Sequence, residues 1–173
     1  RADRYYQKWL TDWRNGQLDD GRLKNTAPFG KGGGGPGWGG LISAITWRHY
    51  LYYGDVRILE ENYDAVRRYV DYLESRCTDD VLRKFGGKWD FIGDWVPPGR
   101  GMDTDNWPGT RAAELFNNSY RINQMDLLRQ MAEVLGGRGA GPAPLRERTH
   151  HYTHHAERRI PHLWRVHQAE TLP

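Results

Sequence analysis

Between Val56 and Ser75 the apolar residues Ile58, Leu59, Tyr63, Val66, Tyr69, Val70 and Leu73 recur every three or four positions, and Glu60, Glu61, Arg67, Arg68, Asp71 and Glu74 fill the gaps. A stripe with that period can be buried on one side only if the segment is a helix, so this run restricts the fold more than any other feature. Asp55 supplies an N-cap, and Gly54 before it is the stop expected of a preceding helix. That preceding segment, Leu41 to Tyr53, carries Leu41, Ala44, Ile45, Trp47, Tyr50 and Leu51 and reads as a largely buried helix. With so short a connection, the two predict a tight antiparallel helical hairpin.

Two further segments repeat the habit. Residues Ala2 to Arg14 place Tyr5, Tyr6, Trp9, Leu10 and Trp13 at helical spacing before the Asn15-Gly16 stop, with Trp9 and Trp13 expected in the core. Thr110 to Leu135 carries Leu115, Phe116, Tyr120, Ile122, Leu127, Leu128, Met131 and Val134 and ends at Gly136-Gly137. Between the helices lie two long stretches of turn chemistry, Gln17 to Gly37 and Gly86 to Pro108, and strand signals are almost absent outside Trp89 to Trp95. Amphipathic helices joined alternately by short and long loops predict an all-α array of hairpins, with the long loops gathered on one side to carry the site, as in an α/α toroid.

Composition narrows the function. With 173 residues the chain is one ordinary domain or part of a larger one. A mean hydropathy of −0.87, and no apolar run near the ~18 residues that span a bilayer, exclude a membrane helix. No charged-then-apolar leader opens the chain, so targeting information is expected to be absent or removed. A net charge of +3 would suit nucleic acid if it were concentrated, but up to residue 136 the two signs alternate along helical faces, which argues against it. Cys77 is single and can form no internal disulfide. The glycine run Gly32 to Gly35 has no strand before it and no Lys-Ser/Thr after it, so it reads as a flexible loop and not a phosphate cradle. No cofactor is implied.

The chemistry-bearing stretch is Trp89-Asp90-Phe91-Ile92-Gly93-Asp94-Trp95-Val96-Pro97-Pro98-Gly99, which sets carboxylates beside indoles on a loop. An indole face packs on the C–H face of a pyranose while a carboxylate takes paired hydroxyl hydrogen bonds, so the pairing suggests carbohydrate before phosphate. Aromatic residues make up 13% of the chain, including eight Trp, enough to line a cleft as well as a core.

The motifs also carry a family resemblance. Tyr6-x-x-Trp9-Leu10-x-Asp12-x-x-x-x-Gln17-x-x-x-Gly21 is followed by Gly35-x-Gly37-Trp38-Gly39 and by Tyr50-Leu51-Tyr52-Tyr53-Gly54-Asp55-x-x-Ile58-Leu59-Glu60-Glu61-x-Tyr63. Then come Gly93-Asp94-Trp95-x-Pro97-Pro98-Gly99, Glu114-Leu115-Phe116-Asn117-Asn118-x-Tyr120 and Ala132-Glu133-x-Leu135-Gly136. In this order they resemble the catalytic six-hairpin domain of α-L-rhamnosidases, glycoside hydrolase family 78, over residues 3 to 136.

The resemblance implies an (α/α)6 barrel of which roughly half is present, so that one expected partner is the missing remainder of its own barrel. It implies removal of terminal α-L-rhamnose with inversion from a rhamnose-containing glycoside or oligosaccharide. It places the general acid upstream of Arg1 and the general base downstream of the Gly93-Asp94-Trp95 loop, so no catalytic residue is assigned to this chain. It assigns Trp38 and Trp95 to the sugar pocket, with Asp94 as the nearest charged partner for ring hydroxyls. Where the family usually has Asp after Trp-Gly, this chain has Gly40, which puts the sugar preference in question. Trp38 has a second reading, as a plug of the barrel end, and Asp94 has one as a cap on its own loop's amides. A non-catalytic carbohydrate-binding or structural helical module, and another six-hairpin glycosidase, are the alternatives in function.

The segment 137–173 departs from the domain at 1–136. It holds six of the seven His and six Arg, and its apolar periodicity fades, so it is expected to be a divergent, exposed or disordered tail, or a shifted reading frame. His150, His151, His154 and His155 form two i, i+4 pairs, but no third ligand accompanies them, and no metal site is assigned.

Overall fold

A computed structural model describes residues 2–30, 32–87, 89–93 and 111–137. The elements in chain order are α1 (Ala2–Asn15), α2 (Pro36–Gly39), α3 (Leu41–Tyr53), α4 (Arg57–Glu74), β1 (Cys77–Thr78), β2 (Val81–Leu82) and α5 (Arg111–Gly137). Helices α3 and α4 form the expected hairpin, with Gly54 turning the chain in the left-handed region at φ 67°; the cap position of α4 falls on Val56 and not on Asp55, which stands one residue earlier and accepts the Arg57 amide on Oδ1 at 3.1 Å. Helix α5 packs on α4, α3 and α2, and α1 packs on α3 and α4.

In α4 every apolar position of the stripe is buried, from Ile58 and Leu59 to Val70 and Leu73. Each such side chain removed from water contributes about 1.5–3 kcal/mol, so this helix anchors the core. Asn62 joins the buried face although it is polar, because its Oδ1 accepts from Arg14 Nη1 at 2.8 Å and its Nδ2 donates to the Ile58 carbonyl at 2.7 Å. In α1, Leu10 and Trp13 are buried as expected. Trp9 is only partly covered, and its Nε1 donates to the Ala27 carbonyl at 3.2 Å, which ties the helix to the following loop.

Helix α3 differs from its sequence reading. Its buried residues are Ile42, Ser43, Thr46 and His49, whereas Leu41, Ile45, Trp47 and Tyr50 are partly buried and Leu51 is 61% exposed. The helix touches α1, α4 and α5, so its covered face is set by three neighbours and takes in polar Ser43, Thr46 and His49 beside Ile42. The register of α5 departs in the same way. Leu115 and Tyr120 are exposed, while Asn117, Asn118, Arg121 and Gln124 are buried. Arg121 is tolerated inside because Nε donates to Glu74 Oε1 at 2.7 Å and Nη1 to the Asp80 carbonyl at 2.9 Å.

The only strands among the described residues are β1 and β2, an antiparallel pair with Cys77 opposite Leu82 and Thr78 opposite Val81. Asp79 and Asp80 make the turn at φ 51° and 63°, the conformation a two-residue hairpin loop demands and short Asp side chains tolerate. Two-residue strands are too short to show periodicity, and residues 89–93, where strand signals were expected, form turns and bends.

Candidate functional site

The glycine-rich segment after α1 ends in α2, a single helical turn within what the sequence reads as loop up to Gly37. Pro36 starts the turn, where its fixed φ and missing N–H cost nothing. Tyr69 of α4 holds the turn from beneath. Its hydroxyl lies 3.1 Å from the Gly34 carbonyl and 2.9 Å from the Gly35 carbonyl, to which it donates. Burial pushes the Tyr69 phenol well above its ordinary value, so it remains a donor through the neutral range. A Cβ on Gly39 would lie 2.7 Å from Tyr69 Cζ, so that glycine is needed for the close approach. The one large side chain the turn presents outward is Trp38, 42% exposed.

A second loop lies against the first. Asp90 Oδ1 accepts the Gly33 amide at 2.6 Å and Oδ2 accepts the Gly87 amide at 2.9 Å. Asn25 Nδ2 reaches the Trp89 carbonyl at 3.4 Å, and Asn117 Nδ2 donates to the Ile92 carbonyl at 2.7 Å. Asn118 does the same for β2, accepting the Leu82 amide and donating to its carbonyl. The long loops are thereby fastened to each other and to α5, and two exposed indoles, Trp38 and Trp89 (51% exposed), stand on the joined pair. Asp90 spends its carboxylate on backbone amides, so in the first half of the Trp89 to Gly99 stretch the acid clamps loops. Asp94 and Trp95 lie outside the described residues, as do the four His at 150–155.

A hollow of about 340 Å³, lined mainly by apolar surface of Tyr6, Ile45, Arg48, His49, Tyr52 and Tyr53, sits along the middle and C-terminal part of α3. Trp38 precedes the opposite end of that helix and does not line it. His49 is buried with neither ring nitrogen hydrogen-bonded. Near this end Arg57 holds the Asp55 carboxyl below its ordinary value through a side-chain hydrogen bond of 2.9 Å. Among the described residues no group of three or more His, Cys, Asp or Glu could hold a metal ion, and no helix is long and apolar enough to cross a membrane.

A family model, the bacterial α-L-rhamnosidase six-hairpin glycosidase domain, matches residues 1–159. The chain belongs to this family. The α-L-rhamnosidase of Formosa agariphila is 28% identical over 135 residues, covering 77% of this chain and 14% of the relative. The chain thus spans about a seventh of the length of that relative. Among solved structures, the α-L-rhamnosidase of Dictyoglumus thermophilum superposes with a TM-score of 0.71 at 27% identity, over 92% of this chain and 16% of the other. The Streptomyces avermitilis α-L-rhamnosidase complexed with L-rhamnose does so with a TM-score of 0.61 at 25% identity, over 89% and 14%. The architecture is therefore all-α and part of a six-hairpin (α/α)6 barrel, as the resemblance implied.

Within this six-hairpin domain, the structure puts Trp38 on an exposed turn and leaves its relation to Asp94 and Trp95 outside the described residues. Sequence reasoning missed the residues that build the turn's support, Tyr69, Asp90 and Gln124. Asp90 had a readable signal, an acid set among Gly86, Gly87 and Gly93, as loop-capping carboxylates often are. Tyr69 had none, since it looks like any other core position of α4.

Proposed function

We propose that this chain forms the sugar-facing wall of an α-L-rhamnosidase domain, with Trp38, Asp94 and Trp95 contacting the terminal rhamnose. In this reading the indole of Trp38 covers the apolar face of the ring and its methyl group, and Asp94 accepts from ring hydroxyls. The observation that carries it is an exposed tryptophan on a turn locked from below by Tyr69, an aromatic surface organised in advance of its ligand. Titration with L-rhamnose, followed by the indole N–H resonances, is expected to shift Trp38 and Trp95. No response at either indole removes the sugar site.

The reaction of the whole protein is read as hydrolysis with inversion, which needs two carboxyls about 6.5–9.5 Å apart with a water between. Neither the acid nor the base is assigned to this chain, so the isolated chain is expected to be inactive on an aryl rhamnoside. Enzyme-like turnover would overturn that assignment. The exposed aromatic and aliphatic edge formed by Tyr5, Leu51, Tyr52 and Tyr53 is read as the face that the rest of the barrel covers. The isolated chain is accordingly expected to self-associate, and a monodisperse monomer in sedimentation would contradict this.

A further inference from the structure

We propose that Gln124 is a positioning residue that sets the pose of Trp38 by holding the turn that carries it. Gln124 belongs to α5, far from Trp38 in sequence, and is 1% exposed. Its Nε2 donates to the Pro36 carbonyl at 2.8 Å, the same oxygen that accepts the Gly40 amide at 3.2 Å. Pro36 opens the turn that carries Trp38, and Gly40 closes it. The Gln124 amide and the Gly40 amide therefore share the one acceptor at the start of the turn.

The clasp depends on Gly40 having no side chain. A Cβ there would overlap the Gln124 amide and stand 2.5 Å from the Pro36 oxygen, so a side chain at 40 and the present pose of Gln124 exclude each other. The chain has settled this in favour of Gln124. Gln124 Oε1 is buried and has no hydrogen-bond partner, so the group keeps an unused acceptor. The consequence for binding rests on the reading of Trp38 as sugar-facing; the consequence for the pose of Trp38 does not.

The test labels the 173-residue chain with 5-fluorotryptophan, assigns the Trp38 signal with Trp38→Phe, and compares Gly40→Ala, Gln124→Ala and the double variant without sugar and then with L-rhamnose. Each single variant is expected to move or broaden the Trp38 fluorine signal and to weaken rhamnose binding at least ~10-fold with helical content unchanged. The double variant is expected to move the Trp38 signal by less than the sum of the two single shifts, because Gly40→Ala already displaces the Gln124 amide, while the contact of the new Cβ with the Pro36 oxygen persists in both. Additive effects, or a Trp38 signal that ignores Gly40→Ala, overturn the proposal. If Gly40→Ala does not fold, Gln124→Met keeps the volume and removes the donor, and an unmoved Trp38 signal in that variant overturns it equally. Failure of the parent chain to respond to L-rhamnose removes the sugar reading and leaves the coupling of Gly40, Gln124 and Trp38 to stand on the sugar-free spectra.

Discussion

Helices α3 and α4 are consecutive, antiparallel and packed on each other, yet they obey different rules. Helix α4 buries every apolar residue of its stripe and keeps its charges at the edge. Helix α3 buries Ile42 together with the polar Ser43, Thr46 and His49, and exposes Leu51, Tyr52 and Tyr53. The lesson is that periodicity reports burial faithfully only where a helix has one packed side and one wet side. Where neighbours press on it from several directions, its covered face is chosen by those contacts and takes in polar residues beside apolar Ile42.

The comparison can be broken or sharpened by mutation. The largest effect is expected at the end of α4, where Glu74→Ala leaves Arg121, fully buried on α5, without its carboxylate; a loss of ~3–5 kcal/mol in denaturant unfolding is expected. A loss under ~1 kcal/mol would mean that the Asp80 carbonyl suffices to hold the guanidinium. In the apolar stripe, Leu59→Ala is expected to cost ~2–5 kcal/mol, whereas Leu51→Ala on α3 should stay within ~0.5 kcal/mol; equal costs would erase the contrast.

Alkaline titration separates the helices on a smaller scale. Burial pushes the Tyr63 phenol on α4 up to about 12. A group whose folded value is raised contributes its full stability below the unfolded value near ~10, and that stability is lost as pH rises through the folded value. Stability should therefore fall between pH ~10 and about 12, and Tyr63→Phe should flatten part of that fall; an unchanged slope would place Tyr63 in contact with water. The smallest effect carries the opposite sign. Thr46 Oγ1 on α3 is buried with no hydrogen-bond partner, so Thr46→Val should raise stability by ~1 kcal/mol in the same assay. A loss instead would show that the hydroxyl is satisfied in solution.

Much of the fold was legible before any coordinates. The four long helices lie close to the segments their periodicity and stop signals mark, and the buried stripe of α4 matches position for position. The order of short motifs pointed to the six-hairpin family over most of the chain. At the candidate site, the motif singled out Trp38, but what supports its turn was not legible. Tyr69 reads as core, and Asp90 drew no assignment from the sequence, although its carboxylate takes the Gly33 and Gly87 amides. The hairpin at Cys77–Leu82 was missed because two residues per strand carry no pattern.

What the sequence determined by itself is everything that depends on neighbours along the chain: which segments are helical, where glycine stops them, and the all-α class. What the tertiary structure alone decided is which residues face each other across elements. It chose the inward face of α3, paired Arg121 with Glu74, and set Gln124 against Gly40. The reason is physical, since a helical period constrains spacing within one element, whereas burial of a polar group is settled by a partner distant in sequence that only packing brings within hydrogen-bond range.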